Sequence, residues 1–168
     1  GTGHDVLNLI EPTPDGGFIF AGPSDSGISG NKTLAGFGLS DVWVVKVDAS
    51  GNKQWEKVYG GDNIDNSQRI ELTPDGGYLV AAQSRSGATG NKTTANFGSA
   101  DWWILKLDAN GDRVWEKNFG GSEGDSPYGV RVLSDGSCVI AGASASGISG
   151  NKTTANNFND VWVLKLDA

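Results

Sequence analysis

The chain repeats itself with a period of 60 residues, and this period constrains its fold more than any other feature of the sequence. The octapeptide SGISGNKT at 26–33 returns as SGATGNKT at 86–93 and again as SGISGNKT at 146–153. The third long loop is one residue shorter than the other two, and the chain ends within its third copy of the pattern. We therefore predict a single all-β repeat domain over residues 1–168, with repeats at 1–61, 62–121 and 122–168.

Each repeat contains four short segments that are typical of β-strands. Segments rich in Val, Ile, Leu, Trp and Tyr alternate with turn sequences such as Pro-Asp-Gly-Gly, in which Pro presets φ and Gly supplies positive φ. The first repeat has DVLNLIEP, FIFAG, VWVVKV and QWEKVY in this order. The third repeat ends after VWVLKL, so we expect it to lack its fourth strand.

Composition and charge exclude some classes of partner. The formal net charge is −7 and the basic residues are scattered, which argues against binding to nucleic acid. No apolar run approaches the length of a membrane span, so we expect no membrane insertion. The single cysteine, Cys138, lies in an apolar run and is interpreted as a small buried hydrophobe.

The order of motifs in each repeat resembles a known class of repeat. Four antiparallel strands, a Gly-Gly pair at the unit junction and a Trp after the third turn resemble a β-propeller blade of the PQQ and kelch type. The stretch DVWVVKVDASGNKQWEKVYGG at 41–61 is similar to tandem repeats of about 60 residues in secreted bacterial proteins. The resemblance implies an extracellular or cell-surface module. Three blades are too few to close a propeller, so the resemblance also implies a homo-oligomer or a longer repeat array.

A β-trefoil is the alternative fold, because it too is built from three four-stranded repeats in one chain. The third strand of each repeat argues for blades. In VWVVKV at 42–47, residues of both parities are apolar, which suits a strand that is covered on both faces.

The residues that recur in the long loop and before the third strand are the candidate ligand-binding residues. In an up-and-down sheet, the long loop and the Gly-Gly junction lie at the same end, and this end carries most of the irregular sequence. Carboxylate, amide, hydroxyl and indole groups together are suited to carbohydrate recognition. The candidates are Asn31, Lys32, Thr33, Asp41, Trp43, Asn91, Lys92, Thr93, Asp101, Trp103, Asn151, Lys152, Thr153, Asp160 and Trp162. The other interpretation is architectural: these loops fold back on their own backbone, and the tryptophans pack between blades.

The sequence predicts no cofactor, with calcium left open as an alternative. Oxygen-rich junctions supply the weak metal candidates Asp62, Asp65, Glu123 and Asp125. Neither junction fits an EF-hand loop, and Ca²⁺ requires 6 to 8 oxygen ligands.

No catalytic residues are predicted. The only histidine, His4, corresponds to Ile64 in the next repeat, and Cys138 has no evident partner.

Two functions remain from different classes. The first is a non-enzymatic, lectin-like module that binds a glycan or other cell-surface ligand through its GNKT loops. The second is a structural or adhesive repeat that assembles with other copies through its strand edges.

Overall fold

The computed structural model describes residues 1–7, 9–156 and 158–168. Within these residues the chain forms strands and turns, and no helix in them is long and apolar enough to cross a membrane. The strands are β1 Leu9–Pro12, β2 Phe18–Ser24, β3 Asp41–Val47, β4 Lys53–Tyr59, β5 Asp65–Leu72, β6 Tyr78–Ser84, β7 Asp101–Leu107, β8 Arg113–Phe119, β9 Asp125–Val132, β10 Cys138–Ser144 and β11 Asp160–Leu166.

These strands form three separate antiparallel sheets, one for each repeat. Sheet I has the order β1-β2-β3-β4, sheet II has β5-β6-β7-β8, and sheet III has β9-β10-β11. None of the three closes into a barrel. The predictions of an all-β fold, of four strands in each of the first two repeats and of three described strands in the third are therefore confirmed. The first strand of repeat one was predicted from residue 5, and there only an isolated bridge joins Asp5 to Ser24 ahead of β1.

The turn sequences produce the tight connections between strands. Asp15 Oδ1 accepts hydrogen bonds from the Thr13 hydroxyl at 2.5 Å and from the Gly17 amide at 3.1 Å. Gly16, between them, has a φ of 82°, which an L side chain would strain. The same bonds recur around Asp75, so the Pro-Asp-Gly-Gly sequence fixes the turn locally.

Each sheet has two apolar faces, and neighbouring sheets are stacked. We call the face of sheet I that carries Val42 and Val44 its front face, and the face that carries Trp43 and Val45 its back face. The corresponding faces of sheets II and III are named in the same way. The front of sheet I packs on the back of sheet II in one core cluster, and the front of sheet II packs on the back of sheet III in a second.

The innermost strands β1, β5 and β9 lie next to one another in sequence order, so that the sheets follow one another around a common side. At each junction the chain crosses between sheets through a short parallel bridge. The Asp65 amide donates to the Ser40 carbonyl at 2.7 Å, and the Asp125 amide donates to the Ala100 carbonyl at the same distance. These junctions and the GNKT loops lie at the same end of the sheets, which we call the loop face.

Candidate functional site

In repeats two and three, the asparagine of the GNKT sequence fastens the loop to the sheet before it. Asn91 Oδ1 accepts a hydrogen bond from the Gly60 amide at 2.9 Å, and its Nδ2 donates to the Val58 carbonyl at 2.8 Å. Asn151 makes the same pair of bonds, to Gly120 and Asn118. The loops of repeats two and three therefore cap the ends of β4 and β8.

Hydroxyl groups of the octapeptide hold the junction that follows the Gly-Gly pair. The Ser86 hydroxyl donates to Asp65 Oδ2 at 2.7 Å and accepts from the Asn63 amide at 3.0 Å. Thr89 Oγ1 accepts from the Asp62 amide at 2.9 Å. Ser146 and Ser149 do the same in the third repeat. The polar sequence of the loop is thus largely engaged within the protein.

The lysine of each loop is buried over a tryptophan. Lys92 is 2% exposed, and its ammonium lies 5.7 Å from the centre of the Trp103 ring and donates to the Thr94 carbonyl at 2.6 Å. Burial lowers the pKa of Lys92, and the charges of Asp65, Glu116 and Asp101 oppose that shift. Lys32 lies over Trp43 and Lys152 lies over Trp162, each at 5.9 Å. Lys152 donates to the Thr154 carbonyl, whereas Lys32 donates to the Ser24 hydroxyl and the Ser26 carbonyl. An ammonium over an indole face is a cation–π contact, which gains strength when it is removed from water.

A glutamate of the fourth strand completes this arrangement, and the sequence analysis missed it. Glu116 Oε1 accepts from the Thr93 amide and hydroxyl at 2.5 and 2.6 Å, while Trp103 Nε1 donates to Glu116 Oε2 at 3.2 Å. Burial raises the pKa of Glu116, but the bonds from Thr93 and the charge of Arg113 outweigh it and lower the pKa below its usual value. Glu56 binds Thr33 and Trp43 in the first repeat. The sequence signal was the repeated Trp-Glu-Lys of the fourth strand.

The aspartates of successive repeats meet in pairs at the junctions. Asp41 is 1% exposed and Asp65 is 0% exposed, and a β-carbon on Gly60 would overlap Asp41 Oδ1 and lie 3.0 Å from Asp65 Oδ2. Asp101 and Asp125 are arranged in the same way around Gly120. The Oδ1 atom of each of these four carboxylates is buried and has no hydrogen-bond partner among the residues that the structure describes.

Burial of these pairs favours the protonated form of one member. Burial raises the pKa of Asp101 to about 6, with bonds from the Phe97 amide and the Asn118 side chain opposing the shift and the charge of Asp125 adding to it. The pKa of Asp41 is raised for the same reason, and the charge of Asp65 again adds to the effect. One proton per pair relieves the repulsion between like charges that cannot both be solvated.

The candidate ligand-binding residues are either buried or exposed, except for Asn91, which is half-buried. The lysines, the tryptophans, Asp41 and Asp101 are buried. The exposed candidates are Thr33, Thr93, Thr153, Asn31, Asn151 and Asp160. The structure thus brings lysine and tryptophan together in every repeat, but it buries them beneath the loop rather than on its surface. Ligand binding by these residues stays a prediction.

The metal candidates do not converge on one site. Asp62 and Glu123 are exposed, whereas Asp65 and Asp125 are fully buried and bound to serine hydroxyls. Within residues 1–7, 9–156 and 158–168, no group of three or more His, Cys, Asp or Glu side chains is placed to hold a metal ion. Cys138, interpreted from sequence as a buried hydrophobe, is a free and buried thiol.

A recurring phenylalanine of the loop face was also missed. Phe37 and Phe97 lie one residue before a glycine in the long loop, and both are partly exposed, at 46% and 43%. A β-carbon on Gly90 would lie 2.8 Å from the Phe37 β-carbon, so the phenylalanine of one repeat touches the GNKT loop of the next. Gly150 and Phe97 make the same contact.

A scan against protein-family models finds no match for this chain, and a search of curated proteins finds no relative. What the structure defines is an all-β protein of three stacked antiparallel sheets.

Proposed function

We propose that this protein is a non-catalytic, extracellular repeat module of the β-propeller type, whose function is to assemble with further copies of its repeat. One observation carries the proposal. Val161 and Val163 of β11 are 82% and 56% exposed, whereas the residues at the same positions in β3 and β7 are 0% exposed. Burying a valine side chain stabilises a protein by about 1.5–3 kcal/mol, so this surface gains free energy when a partner covers it.

The loop face supports the same interpretation. The octapeptide forms hydrogen bonds to neighbouring strands and junctions through its amide and hydroxyl groups, as Asn91 and Ser86 show. A sequence of this kind is suited to joining one repeat to the next. A propeller of three blades is incomplete, since the known range begins at about four.

Molar mass in solution tests the proposal. We expect light scattering over a tenfold range of concentration to give a mass above the 17.5 kDa of one chain. A monodisperse monomer throughout that range would contradict self-assembly.

Carbohydrate recognition is the second candidate, and a groove at the opposite end of the sheets favours it. The groove between the turns of sheets I and II has a volume of about 480 Å³ and is lined in part by Trp55, Tyr78, Gln54 and Asn110. Tyr78 is only 3% exposed, but Trp55 is partly exposed. An accessible indole with amide groups beside it is suited to the C–H face and hydroxyls of a sugar. A glycan array with the wild type, Gln54→Ala and Thr33→Ala tests it. Loss of binding only in Gln54→Ala would place the site in this groove, and loss only in Thr33→Ala would place it on the loop face.

A further inference from the structure

Successive sheets of the chain pack in the same front-to-back orientation. The front of sheet I covers the back of sheet II, and the front of sheet II covers the back of sheet III. Val44 on the front of sheet I and Leu105 on the back of sheet II, both 0% exposed, belong to the first cluster. The same pair of surfaces is thus buried twice, in the same order.

Two surfaces of this kind are left without a partner, one at each end of the stack. The front of sheet III exposes Val161 and Val163, as described above. On the back of sheet I, Trp43, Val45 and Val58 are buried in a small cluster of their own. The rest of this face exposes Ile10 at 53% and Phe18 at 38%, whereas the residues at the same positions of sheet II, Ile70 and Tyr78, are 2% and 3% exposed.

The loop face also has uncovered residues at both ends of the stack of sheets. Phe158, in the long loop of sheet III, is 93% exposed. Gly30, the counterpart of Gly90 and Gly150, has only Gly1 near the position of a β-carbon. Among the described residues, Gly30 on sheet I therefore lacks the phenylalanine contact that Gly90 and Gly150 make.

We propose that these two ends belong together: the front of sheet III packs on the back of sheet I of a second copy of this chain. The inference rests on the proposed function and names its partner surface. Inside the chain, the fronts of sheets I and II are each buried against the back of the next sheet. The proposed contact repeats this front-to-back packing between two chains. A front-to-back contact is heterologous, and it must either close into a ring or continue as a filament.

A ring of two chains would cover the front of sheet III and the back of sheet I in both chains. Two chains provide six sheets, which falls within the four to eight blades known for propellers, whereas three chains would provide nine. In the closed pair, each chain covers the back of sheet I of the other. The wild-type protein is therefore expected at twice the mass of one chain.

Two charge substitutions test which surfaces meet. Val163→Glu places a carboxylate on the front of sheet III, and Ile10→Glu places one on the back of sheet I. Both residues are more than half exposed in the single chain, so the folded monomer tolerates the change. Val114→Glu is the matched control, because Val114 is 61% exposed on β8, outside both surfaces. Circular dichroism and thermal unfolding confirm that each variant is folded.

The expected pattern is specific to a front-to-back contact. Val163→Glu alone and Ile10→Glu alone are monomers, the Val114→Glu control stays a dimer, and an equimolar mixture of the first two regains a one-to-one complex. The mixture keeps one intact contact of the two, so its complex dissociates at a higher concentration than the wild type.

Other patterns overturn the inference. A dimeric Ile10→Glu with a monomeric Val163→Glu would show that two fronts meet, and the reverse result would show that two backs meet. An assembled wild type that neither substitution disrupts would leave the proposed function standing and refute this partner surface. A monomeric wild type would refute both.

Discussion

Asp101 and Asp125 come from two successive repeats, and both direct a buried carboxylate oxygen at the position that a β-carbon of Gly120 would occupy. The first glycine of the Gly-Gly pair therefore has a steric cause. The junction can hold two carboxylates only where the backbone between them carries no side chain.

Gly120→Ala is expected to destabilise the protein. Its β-carbon would overlap Asp101 Oδ1 and lie 2.8 Å from Asp125 Oδ2, and both carboxylates are fully buried. We expect a loss of about 3 kcal/mol in the free energy of unfolding, measured by urea denaturation. Gly124→Ala is the control from the same junction, since nothing lies within 4 Å of its β-carbon position. Equal losses in the two variants would refute this account of the glycine.

Asp101→Asn is expected to change how stability depends on pH. Burial raises the pKa of Asp101 from its ordinary 3.8 to about 6, so the folded protein keeps a proton that the unfolded chain has already released. The contribution of Asp101 to stability therefore falls as pH rises from about 4 to about 6, and it is lowest above that range. Asparagine resembles the protonated form at every pH. Each pKa unit corresponds to about 1.4 kcal/mol, so the variant should gain up to about 3 kcal/mol over the wild type at pH 7.5.

The groups around Asp101 determine how the measurement is made. Asp125, Lys92 and Asn118 face Asp101. Carboxylates elsewhere with lowered pKa values, such as Asp75, contribute less to the stability of the protein in acid. The informative quantity is therefore the difference between variant and wild type at pH 4.5 and at pH 7.5. The same substitution at the exposed Asp167 is the control. A difference that does not grow with pH would show that Asp101 is already charged in the folded protein.

Local features of the sequence predicted the strands, and features that join distant residues were missed. A strand such as β7 and the turn around Asp75 depend on side-chain alternation and on Pro, Asp and Gly within a few residues. The burial of Lys92 depends on a loop folding back over Trp103 and on Glu116, which lies on the next strand. The repeated octapeptide identified the loop. Its sequence is equally compatible with a ligand-binding surface and with a segment that connects successive repeats.

Lys92→Met is expected to destabilise the protein more at neutral than at acid pH. The ammonium of Lys92 lies near Asp65 and Asp101, and its removal leaves these buried carboxylates without that charge. Removing one partner of a buried charge cluster costs about 3–5 kcal/mol. The cost should fall at pH 5, where Asp101 is protonated. Lys117→Met is the matched control, because Lys117 also lies over a tryptophan, 5.2 Å from the Trp115 ring, but is exposed. A loss as large in Lys117→Met would assign the effect to the cation–π contact alone.

Asn91→Ala is expected to loosen the joint between the first two repeats. The substitution removes the partners of the Gly60 amide and the Val58 carbonyl, and a buried polar group left unpaired costs about 1–3 kcal/mol. We expect a lower free energy of unfolding in urea and faster hydrogen exchange of the Gly60 amide.

The chain provides its own control for this prediction in the first repeat. Asn31 occupies the same position of the octapeptide, but its side chain makes no hydrogen bond with the part of the chain that the structure describes, and it is exposed. Asn31→Ala should therefore leave the free energy of unfolding within about 0.5 kcal/mol of the wild type. If Asn31→Ala costs as much as Asn91→Ala, the asparagine stabilises its own loop, and the octapeptide recurs for that reason. If only Asn91→Ala costs stability, the side chain acts on the preceding sheet, and the GNKT sequence is a joint between repeats.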